Sequence, residues 1–221
     1  MIKLAIFDLD GTLLDTLEDL AAAVNHALAA NGMPPRRLDE VRAFVGNGIP
    51  KLAARAVPAG TDKAAEAAVL SALLSFYKDH CKDRTRPYDG VPALLQTLRE
   101  NGRKTAVVSN KADAAVQILC EEYFPGLCDF CVGAKDGVRK KPAPDAVFAA
   151  MEALGVRKED AVYVGDSEVD VQTAKNAGLP CLSVTWGFRS ENILRAAGAT
   201  RLIPDVPTLE RLLLEASDTE R

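Results

Sequence analysis

The stretch KLAIFDLDGTLLD, residues 3–15, decides the fold of this chain. It opens with a short apolar run, residues 3–7, of the length expected for a buried strand of a parallel sheet. Two carboxylates, Asp8 and Asp10, follow at once, and then Gly11, which allows a tight turn. Because ligands bind beyond the carboxyl ends of the strands in open parallel sheets, this pattern predicts a strand that delivers acidic side chains to a binding site.

Further short apolar runs alternate with helical patterns along the chain. Alternation of this kind predicts an α/β fold with a doubly wound, Rossmann-like parallel sheet. The later predicted strands are residues 104–108, 128–133, 161–165, 181–184 and, more weakly, 201–203, and the predicted helices are residues 90–101, 113–123, 144–154, 167–177 and 208–216.

One segment, residues 16–86, breaks this alternation. It shows only alanine- and leucine-rich helical patterns, separated by turns that contain glycine and proline. We therefore expect a helical domain inserted after the first strand, and a core formed by residues 1–15 and 87–221. The predicted helices of the insertion are residues 17–30, 38–45, 49–57 and 62–82.

Composition excludes several classes of partner. The chain has 221 residues, of which 48% are hydrophobic, and a net charge of −4, which argues against binding to nucleic acid or to an anionic membrane. No apolar run approaches the roughly 20 residues of a membrane-spanning helix, and the run before Asp8 is too short for a signal peptide. Five cysteines without the spacing of a disulfide framework predict a cytoplasmic location. The sequence leaves a monomer and a homodimer equally open.

The pair Asp8 and Asp10 suits phosphoryl transfer. One carboxylate can attack phosphorus, while the other donates a proton to the leaving oxygen and later accepts one from water. The turn at Gly11 allows backbone N–H groups around Gly11 and Thr12 to face a phosphate. The alternative is an ordinary strand-ending turn with solvated acids.

Two further clusters suit phosphate binding. Ser109 and Asn110 follow a predicted strand, where a hydroxyl and a backbone N–H can contact a phosphate oxygen; the alternative is an N-cap of the next helix. Lys141 lies between a charged run and a proline that stiffens the chain, so its ammonium can be directed into a cleft. The neighbouring Arg139 and Lys140 are more typical of a solvated surface.

Acidic residues follow another predicted strand, at Asp166 and Asp170. Magnesium prefers octahedral oxygen ligands, and the carboxylates of Asp8 and Asp166 with the backbone carbonyl of Asp10 could supply three of them. We expect Asp170 to support this site from outside the ligand set, by orienting a metal-bound water or by holding Lys141. The alternative for Asp166 and Ser167 is helix capping, where a negative charge is favoured.

In their order and positions, these clusters resemble the four motifs of the haloacid dehalogenase-like (HAD) superfamily. The motifs match residues 8–12, Ser109, Lys141 and residues 166–170, and the resemblance covers nearly the whole chain. It implies a helical cap domain where the inserted helices are predicted.

The resemblance also implies roles for individual residues. Asp8 would be the nucleophile and Asp10 the acid and base. Ser109 and Lys141 would contact the phosphate, and Asp8, Asp10 and Asp166 would hold Mg²⁺. Dehalogenase members lack an acid at the position of Asp10, so its presence favours phosphoryl transfer.

Three stretches narrow the resemblance to the bacterial phosphoglycolate phosphatases of that superfamily: residues 45–48, 164–167 and 184–189. This implies 2-phosphoglycolate as the substrate. The hinge at residues 86–90 departs from the commoner Tyr-Pro-Gly pattern, which leaves other small phosphorylated metabolites open. The alternatives are another phosphatase of the superfamily, a pyrophosphatase, a sugar-phosphate mutase or a non-catalytic regulator that binds phosphorylated metabolites.

The predicted insertion carries its own candidate site. Asn47 and Gly48 precede a predicted helix whose first N–H groups could receive a substrate carboxylate, and Lys51 and Arg55 in the following turns could add positive charge. The alternative is a plain turn between two helices.

Cys128 and Cys131 have the spacing of half a zinc site. No second pair follows, and the apolar pattern around them indicates a strand. The sequence therefore favours packing over zinc or redox chemistry at these two positions.

Overall fold

The structure is a computed structural model that describes residues 1–215. The chain divides into two compact units, one formed by Met1–Leu14 with the chain from Pro87 onward, the other by Asp15–Arg86. Two short strands, β2 (Leu14–Asp15) and β3 (Arg86–Pro87), pair where the chain passes between the units.

The first unit is built on a six-stranded sheet in which every recorded pairing is parallel. The strand order is β5-β4-β1-β6-β7-β8. The chain therefore adds β4 and β5 on one side of β1 and then β6, β7 and β8 on the other side. This confirms the predicted doubly wound α/β fold. The strands are β1 (Leu4–Phe7), β4 (Lys104–Ala112), β5 (Phe130–Ala134), β6 (Ala161–Gly165), β7 (Cys181–Val184) and β8 (Leu202–Ile203).

Helices connect these strands close to the predicted positions. They are α5 (Val91–Glu100), α6 (Asp113–Tyr123), α7 (Asp145–Leu154), α8 (Glu168–Ala177), α9 (Glu191–Ala196) and α10 (Val206–Leu214). The sequence patterns missed α9, which is only six residues long. They also ran the last helix to residue 216, which lies outside the described residues.

The central strand β1 is fully covered, because its four residues are all buried. Leu4 and Ile6 pack in one cluster with Val147 of α7 and Ala174 of α8, while Phe7 points to the opposite face and is also buried. Burial of alternate residues on both faces explains why β1 is a continuous apolar run, as is usual in parallel sheets covered by helices.

Placement of β1 between β4 and β6 creates the functional edge of the sheet. Phe7 is level with Val107 of β4 and with Val164 of β6, so β1 and β6 end side by side next to the segment of β4 that begins at Ser109. The order in which the chain adds strands to the sheet reverses between β1 and β6. Ligands of doubly wound folds bind at such a switch point. Residues that directly follow β1 and β6 are therefore brought close to the polar end of β4.

The second unit contains four helices, as predicted. They are α1 (Leu17–Ala30), α2 (Leu38–Phe44), α3 (Ile49–Ala56) and α4 (Lys63–His80). Its core includes Val24 and Leu28 of α1 with Val69 and Leu73 of α4, all buried. The buried carboxylate of Asp19 accepts hydrogen bonds from backbone N–H groups of residues 84 and 85 and from a threonine hydroxyl, so its charge is compensated inside the unit.

None of the helices in the described residues has both the length and the apolar character needed to cross a membrane. None of the five cysteines, which all lie within residues 1–215, forms a disulfide.

Candidate active site

The first group of predicted site residues converges at the carboxyl ends of β1 and β6. Lys141 Nζ lies 2.8 Å from Asp8 Oδ1 and 2.8 Å from Asp170 Oδ1, and it also donates to the Tyr163 hydroxyl at 3.0 Å. Lys141 is 6% exposed and Asp170 is fully buried. A single ammonium thus joins the acid that follows β1 to an acid in the first turn of α8.

Burial and like charge shape the protonation of this cluster. Burial raises the pKa of Asp8 to about 7; Asp170 adds to the shift, and Lys141 opposes it. Burial likewise raises the pKa of Asp166 well above its usual value, with repulsion from Asp170 and Asp8 adding to it. Burial disfavours the charged form of Lys141, but attraction to Asp170 and Asp8 outweighs it, and the pKa of Lys141 is raised well above its ordinary value.

The same acids can accommodate a divalent cation. Asp8, Asp166 and Asp170 each offer a carboxylate oxygen, and these oxygens lie within 4.8 Å of one another; within residues 1–215 no other set of histidine, cysteine or acidic groups meets this condition. An all-oxygen donor set suits a hard cation such as Mg²⁺. Burial and repulsion between the acids raise the pKa values of Asp8 and Asp166, and a bound cation would oppose both shifts by favouring the charged carboxylates.

Asp10 is held by a residue that the sequence analysis did not assign. Lys111 Nζ lies 2.8 Å from Asp10 Oδ1 and 3.2 Å from Asp10 Oδ2, and the Lys111 side chain is almost completely buried. Contacts from one buried ammonium to both carboxylate oxygens fix the orientation of the Asp10 side chain. Lys111 directly follows Ser109 and Asn110 in the sequence, but its pairing with Asp10 is visible only in the structure.

The turn after β1 depends on close packing against Asp166. Gly11 has φ +87°, and a Cβ atom there would lie 2.4 Å from Asp166 Oδ2. A Cβ atom on Gly187 would lie 2.3 Å from the Gly11 carbonyl oxygen and 2.4 Å from the Asp166 Cβ. Both positions therefore require glycine, and together they fix where the Asp166 carboxylate lies.

Thr12 belongs to the same turn. Its hydroxyl donates to Asp166 Oδ1 at 3.2 Å, and its carbonyl oxygen accepts from Trp186 Nε1 at 3.1 Å. The other oxygen of Asp166 accepts from the Phe188 backbone N–H at 2.7 Å. Helix capping is therefore the wrong interpretation for Asp166, because both of its oxygens bond to other segments, whereas Ser167 is the N-cap of α8.

Ser109 and Asn110 lie within β4, which continues past the predicted end at residue 108. The pairing of β4 with β5 shifts register between Val108 and Ala112, and such irregularities redirect side chains at the end of a strand. Ser109 is not an N-cap, since α6 begins at Asp113. Asn110 Nδ2 donates to the Lys141 carbonyl oxygen at 3.1 Å, which ties the two predicted phosphate-binding segments together.

Asp170 lies beside Lys141, as the sequence predicted. Tyr163, to which the sequence assigned no role, contacts both residues through its hydroxyl. The Tyr163 hydroxyl donates to Asp170 Oδ1 at 3.1 Å, and the Ser167 backbone N–H donates to Asp170 Oδ2 at 3.1 Å. Burial raises the pKa of Tyr163 well above its usual value, so the hydroxyl stays neutral as a donor. Arg189 Nε pairs with Glu168 at 2.8 Å.

The predicted cap residues lie in the second unit. Gly48 has φ +83° and precedes α3, and Asn47 Oδ1 accepts from Arg55 at 2.7 Å. Arg55 also donates to the Phe44 carbonyl oxygen at 2.7 Å, so its guanidinium stabilises this loop. Lys51 is exposed on the first turn of α3.

The sequence profile described as haloacid dehalogenase-like hydrolase matches residues 5–184. The chain belongs to this family. A phosphoglycolate phosphatase of Pseudomonas putida is 36% identical over 214 residues, which cover 94% of this chain and 78% of the relative.

Solved structures agree with this assignment. A crystal structure from Lactobacillus delbrueckii subsp. bulgaricus, assigned provisionally as a phosphoglycolate phosphatase, superposes with a TM-score of 0.92 at 38% identity and covers 97% of this chain and 99% of that one. A structure from Clostridium acetobutylicum, described as a predicted phosphatase, has a TM-score of 0.86 at 29% identity and covers 98% and 100% of the two chains. The sequence-based assignment to the phosphoric monoester hydrolases of this family is confirmed.

Proposed function

We propose that the chain is a Mg²⁺-dependent phosphatase that hydrolyses 2-phosphoglycolate through a phosphoryl ester on Asp8. The observation that carries the proposal is the contact of Lys141 with both Asp8 and Asp170 beside Asp166. This arrangement places a nucleophile, a fixed positive charge and metal-binding oxygens in one place. The choice of 2-phosphoglycolate as the substrate rests on the relatives, which are named phosphoglycolate phosphatases.

Asp8 is positioned for attack by contacts to one of its oxygens. Asp8 Oδ1 accepts the Leu9 backbone N–H at 2.7 Å and lies 2.8 Å from Lys141 Nζ. In the first step the carboxylate attacks phosphorus and the bond from phosphorus to the leaving oxygen breaks. Lys141 offsets the charge of the phosphoryl oxygens, and the carbonyl oxygen of Lys141 stays bonded to Asn110.

Asp10 performs the proton transfers. It donates its proton to the leaving oxygen in the first step. In the second step it accepts a proton from the water that attacks phosphorus, which releases inorganic phosphate and restores Asp8. Lys111 holds both oxygens of Asp10, so the acid stays in one orientation through both steps.

The metal ligands would be the Asp8 and Asp166 carboxylates and the backbone carbonyl of Asp10. Bound Mg²⁺ supplies positive charge that lets an anionic nucleophile approach an anionic phosphate. Thr12 and Phe188 orient the Asp166 carboxylate through hydrogen bonds from their hydroxyl and backbone N–H. Asp170 acts through Lys141, with which it is in direct contact.

Substrate choice is assigned to the second unit. The backbone N–H groups after Gly48 and the exposed ammonium of Lys51 are suited to the carboxylate of 2-phosphoglycolate. Asn47 and Arg55 would maintain the loop through their mutual contact. Gly11, Thr12, Ser109 and Asn110 are proposed to surround the phosphate.

A screen of phosphate esters tests this proposal. Phosphate release is measured with and without Mg²⁺ from 2-phosphoglycolate, an aryl phosphate, sugar phosphates and pyrophosphate, with Asp8→Asn as the inactive control. The proposal predicts Mg²⁺-dependent release with the highest kcat/KM on 2-phosphoglycolate. Preference for pyrophosphate or isomerisation of a sugar phosphate would replace the substrate assignment, and binding without any turnover would favour the regulator.

A further inference from the structure

The ammonium of Lys141 has as many protein oxygens around it as it has N–H groups. Lys141 Nζ lies 2.8 Å from Asp8 Oδ1 and 2.8 Å from Asp170 Oδ1, and it donates to the Tyr163 hydroxyl at 3.0 Å. An ammonium carries three donors and no acceptor. A phosphoryl oxygen can therefore receive a hydrogen bond from Lys141 only when one of these three contacts is exchanged.

Of the three contacts, only the one to Asp8 involves a group that the reaction changes. Under the proposed function, on which this inference rests, the Asp8 carboxylate loses its charge when the phosphoryl ester forms, so its attraction for the ammonium falls. Asp170 is fully buried, and its second oxygen accepts from the Ser167 backbone N–H at 3.1 Å. Asp170 and Tyr163 therefore keep their contacts, and the N–H group that faces Asp8 is the one available to phosphate.

The Tyr163 side chain is fixed at both ends. Tyr163 is level with Ile6 of β1 and with Cys181 of β7, and its fully buried ring packs in the same apolar cluster as Ile6. At the other end, its hydroxyl donates to Asp170 Oδ1 at 3.1 Å. Because the hydroxyl proton is used on Asp170, the oxygen presents its acceptor side to Lys141.

The backbone that carries Lys141 is fixed separately from its ammonium. The Lys141 carbonyl oxygen accepts from Asn110 Nδ2 at 3.1 Å, and the Pro142 carbonyl oxygen accepts from Asn176 Nδ2 of α8 at 2.7 Å. These bonds determine where the side chain begins, but the rotation of the ammonium depends on its acceptors. Since the nitrogen is tetrahedral, two acceptors in fixed positions determine the direction of the third N–H group, whereas one acceptor does not.

We propose that Tyr163 is a positioning residue for phosphoryl transfer: together with Asp170 it retains two N–H groups of Lys141 and so directs the third at the phosphoryl oxygens. Tyr163 does not touch the substrate in this role and acts through Lys141. The alternative is that its hydroxyl only satisfies its own hydrogen bonding inside the core, as buried tyrosines usually do. The two roles differ in what the loss of the hydroxyl does to the ammonium and to turnover.

Kinetics of Tyr163→Phe test the role in turnover, because this variant removes the hydroxyl and keeps the buried ring. With Mg²⁺ we expect kcat to fall about 10-fold and KM to stay within about twofold, since a directed donor acts mainly in the transition state. The loss should be equal for 2-phosphoglycolate and an aryl phosphate, which share the phosphoryl group. Tyr77→Phe is the matched control: Tyr77 is also buried, but it lies in α4, and its kcat should be that of the wild type.

Nuclear magnetic resonance of isotope-labelled lysine measures the ammonium itself, in the metal-free protein and without any substrate. A buried ammonium whose protons are all hydrogen-bonded exchanges them slowly with water and gives a separate signal. Lys111 and Lys141 are both buried, so Lys111→Met identifies the signal of Lys141 by elimination. Tyr163→Phe should speed the exchange of the Lys141 protons about 10-fold or more, and Tyr77→Phe should leave it unchanged.

The outcomes separate this inference from the proposed function. A wild type without Mg²⁺-dependent turnover would refute the proposed function and the inference with it. An active wild type with full kcat in Tyr163→Phe, or with reduced kcat but unchanged exchange at Lys141, would overturn the role of Tyr163 alone. Absence of a slowly exchanging Lys141 signal in the wild type would contradict the three contacts, and this measurement does not depend on the folding of any Tyr163 variant.

Discussion

Replacing Asp8 by asparagine should make the metal-free protein more stable at neutral and alkaline pH, although it removes the proposed nucleophile. Asp8 is 8% exposed, and folding places its carboxylate beside Asp170. Asparagine has nearly the same shape and carries no charge. Lys141 keeps its contact with Asp170 at 2.8 Å, so the ammonium retains an anionic partner in the variant.

The sign and the size of the effect follow from the raised pKa of Asp8. Asp8 loses its proton near pH 3.8 in the unfolded chain and near pH 7 in the folded one. The folded state binds this proton more tightly, so the associated stability is fully present below pH 3.8 and is lost as the pH rises through 7. The full loss is about 4 kcal/mol, of which about 2.5 kcal/mol falls between about pH 5 and 8.

Urea unfolding in the presence of a chelator measures this directly. The free energy of unfolding of Asp8→Asn minus that of the wild type should increase by about 2.5 kcal/mol from about pH 5 to about pH 8. Asp160→Asn is a control without this pH dependence: a hydrogen bond from Lys3 lowers the pKa of Asp160, so its stabilising contribution is fully present throughout the tested pH range and its loss should be the same at both ends. A difference between Asp8→Asn and the wild type that stays constant or shrinks with pH would refute the assigned electrostatics of the site.

Three further variants test other parts of the account. Lys111→Met should lower kcat about 10- to 100-fold on alkyl phosphates and less on an aryl phosphate, whose leaving group needs less protonation by Asp10; equal losses in steady-state assays would show that Lys111 does not act through the acid. Gly187→Ala should destabilise the fold by about 1–3 kcal/mol in urea unfolding, because the added methyl overlaps the Gly11 carbonyl; unchanged stability would contradict this packing. Replacing Asn47 and Lys51 together should raise the KM for 2-phosphoglycolate and leave turnover of an aryl phosphate unchanged, and parallel losses on both substrates would contradict a selective role.

Much of the fold follows from local patterns in the sequence. The apolar run before Asp8 predicts β1 because a strand buried on both faces needs no polar alternation, and Leu4 to Phe7 are all buried. The same reasoning placed β6 and β7 correctly. It failed at β4, which continues through the polar residues Ser109, Asn110 and Lys111, because tertiary contacts keep the backbone extended there.

The sequence predicted the site less completely where its contacts join residues far apart in the chain. Strand ends place Asp8 and Asp166 together, since parallel strands end at one edge of the sheet. The partnership of Lys111 with Asp10 spans 101 positions and depends on the irregular end of β4, which no local pattern reveals. Tyr163 looked like an apolar strand residue, and only the structure shows its hydroxyl between Lys141 and Asp170.

Trapping the phosphorylated enzyme tests the central claim most directly. Excess enzyme with Mg²⁺ is mixed with 2-phosphoglycolate that carries an isotopic label in its phosphoryl group. The reaction is quenched in acid within one turnover, and the protein is digested for peptide mapping. The account predicts one phosphoryl group on Asp8 that forms and decays at rates compatible with kcat, and none in Asp8→Asn. Label on another residue, or full turnover without any label on Asp8, would contradict it.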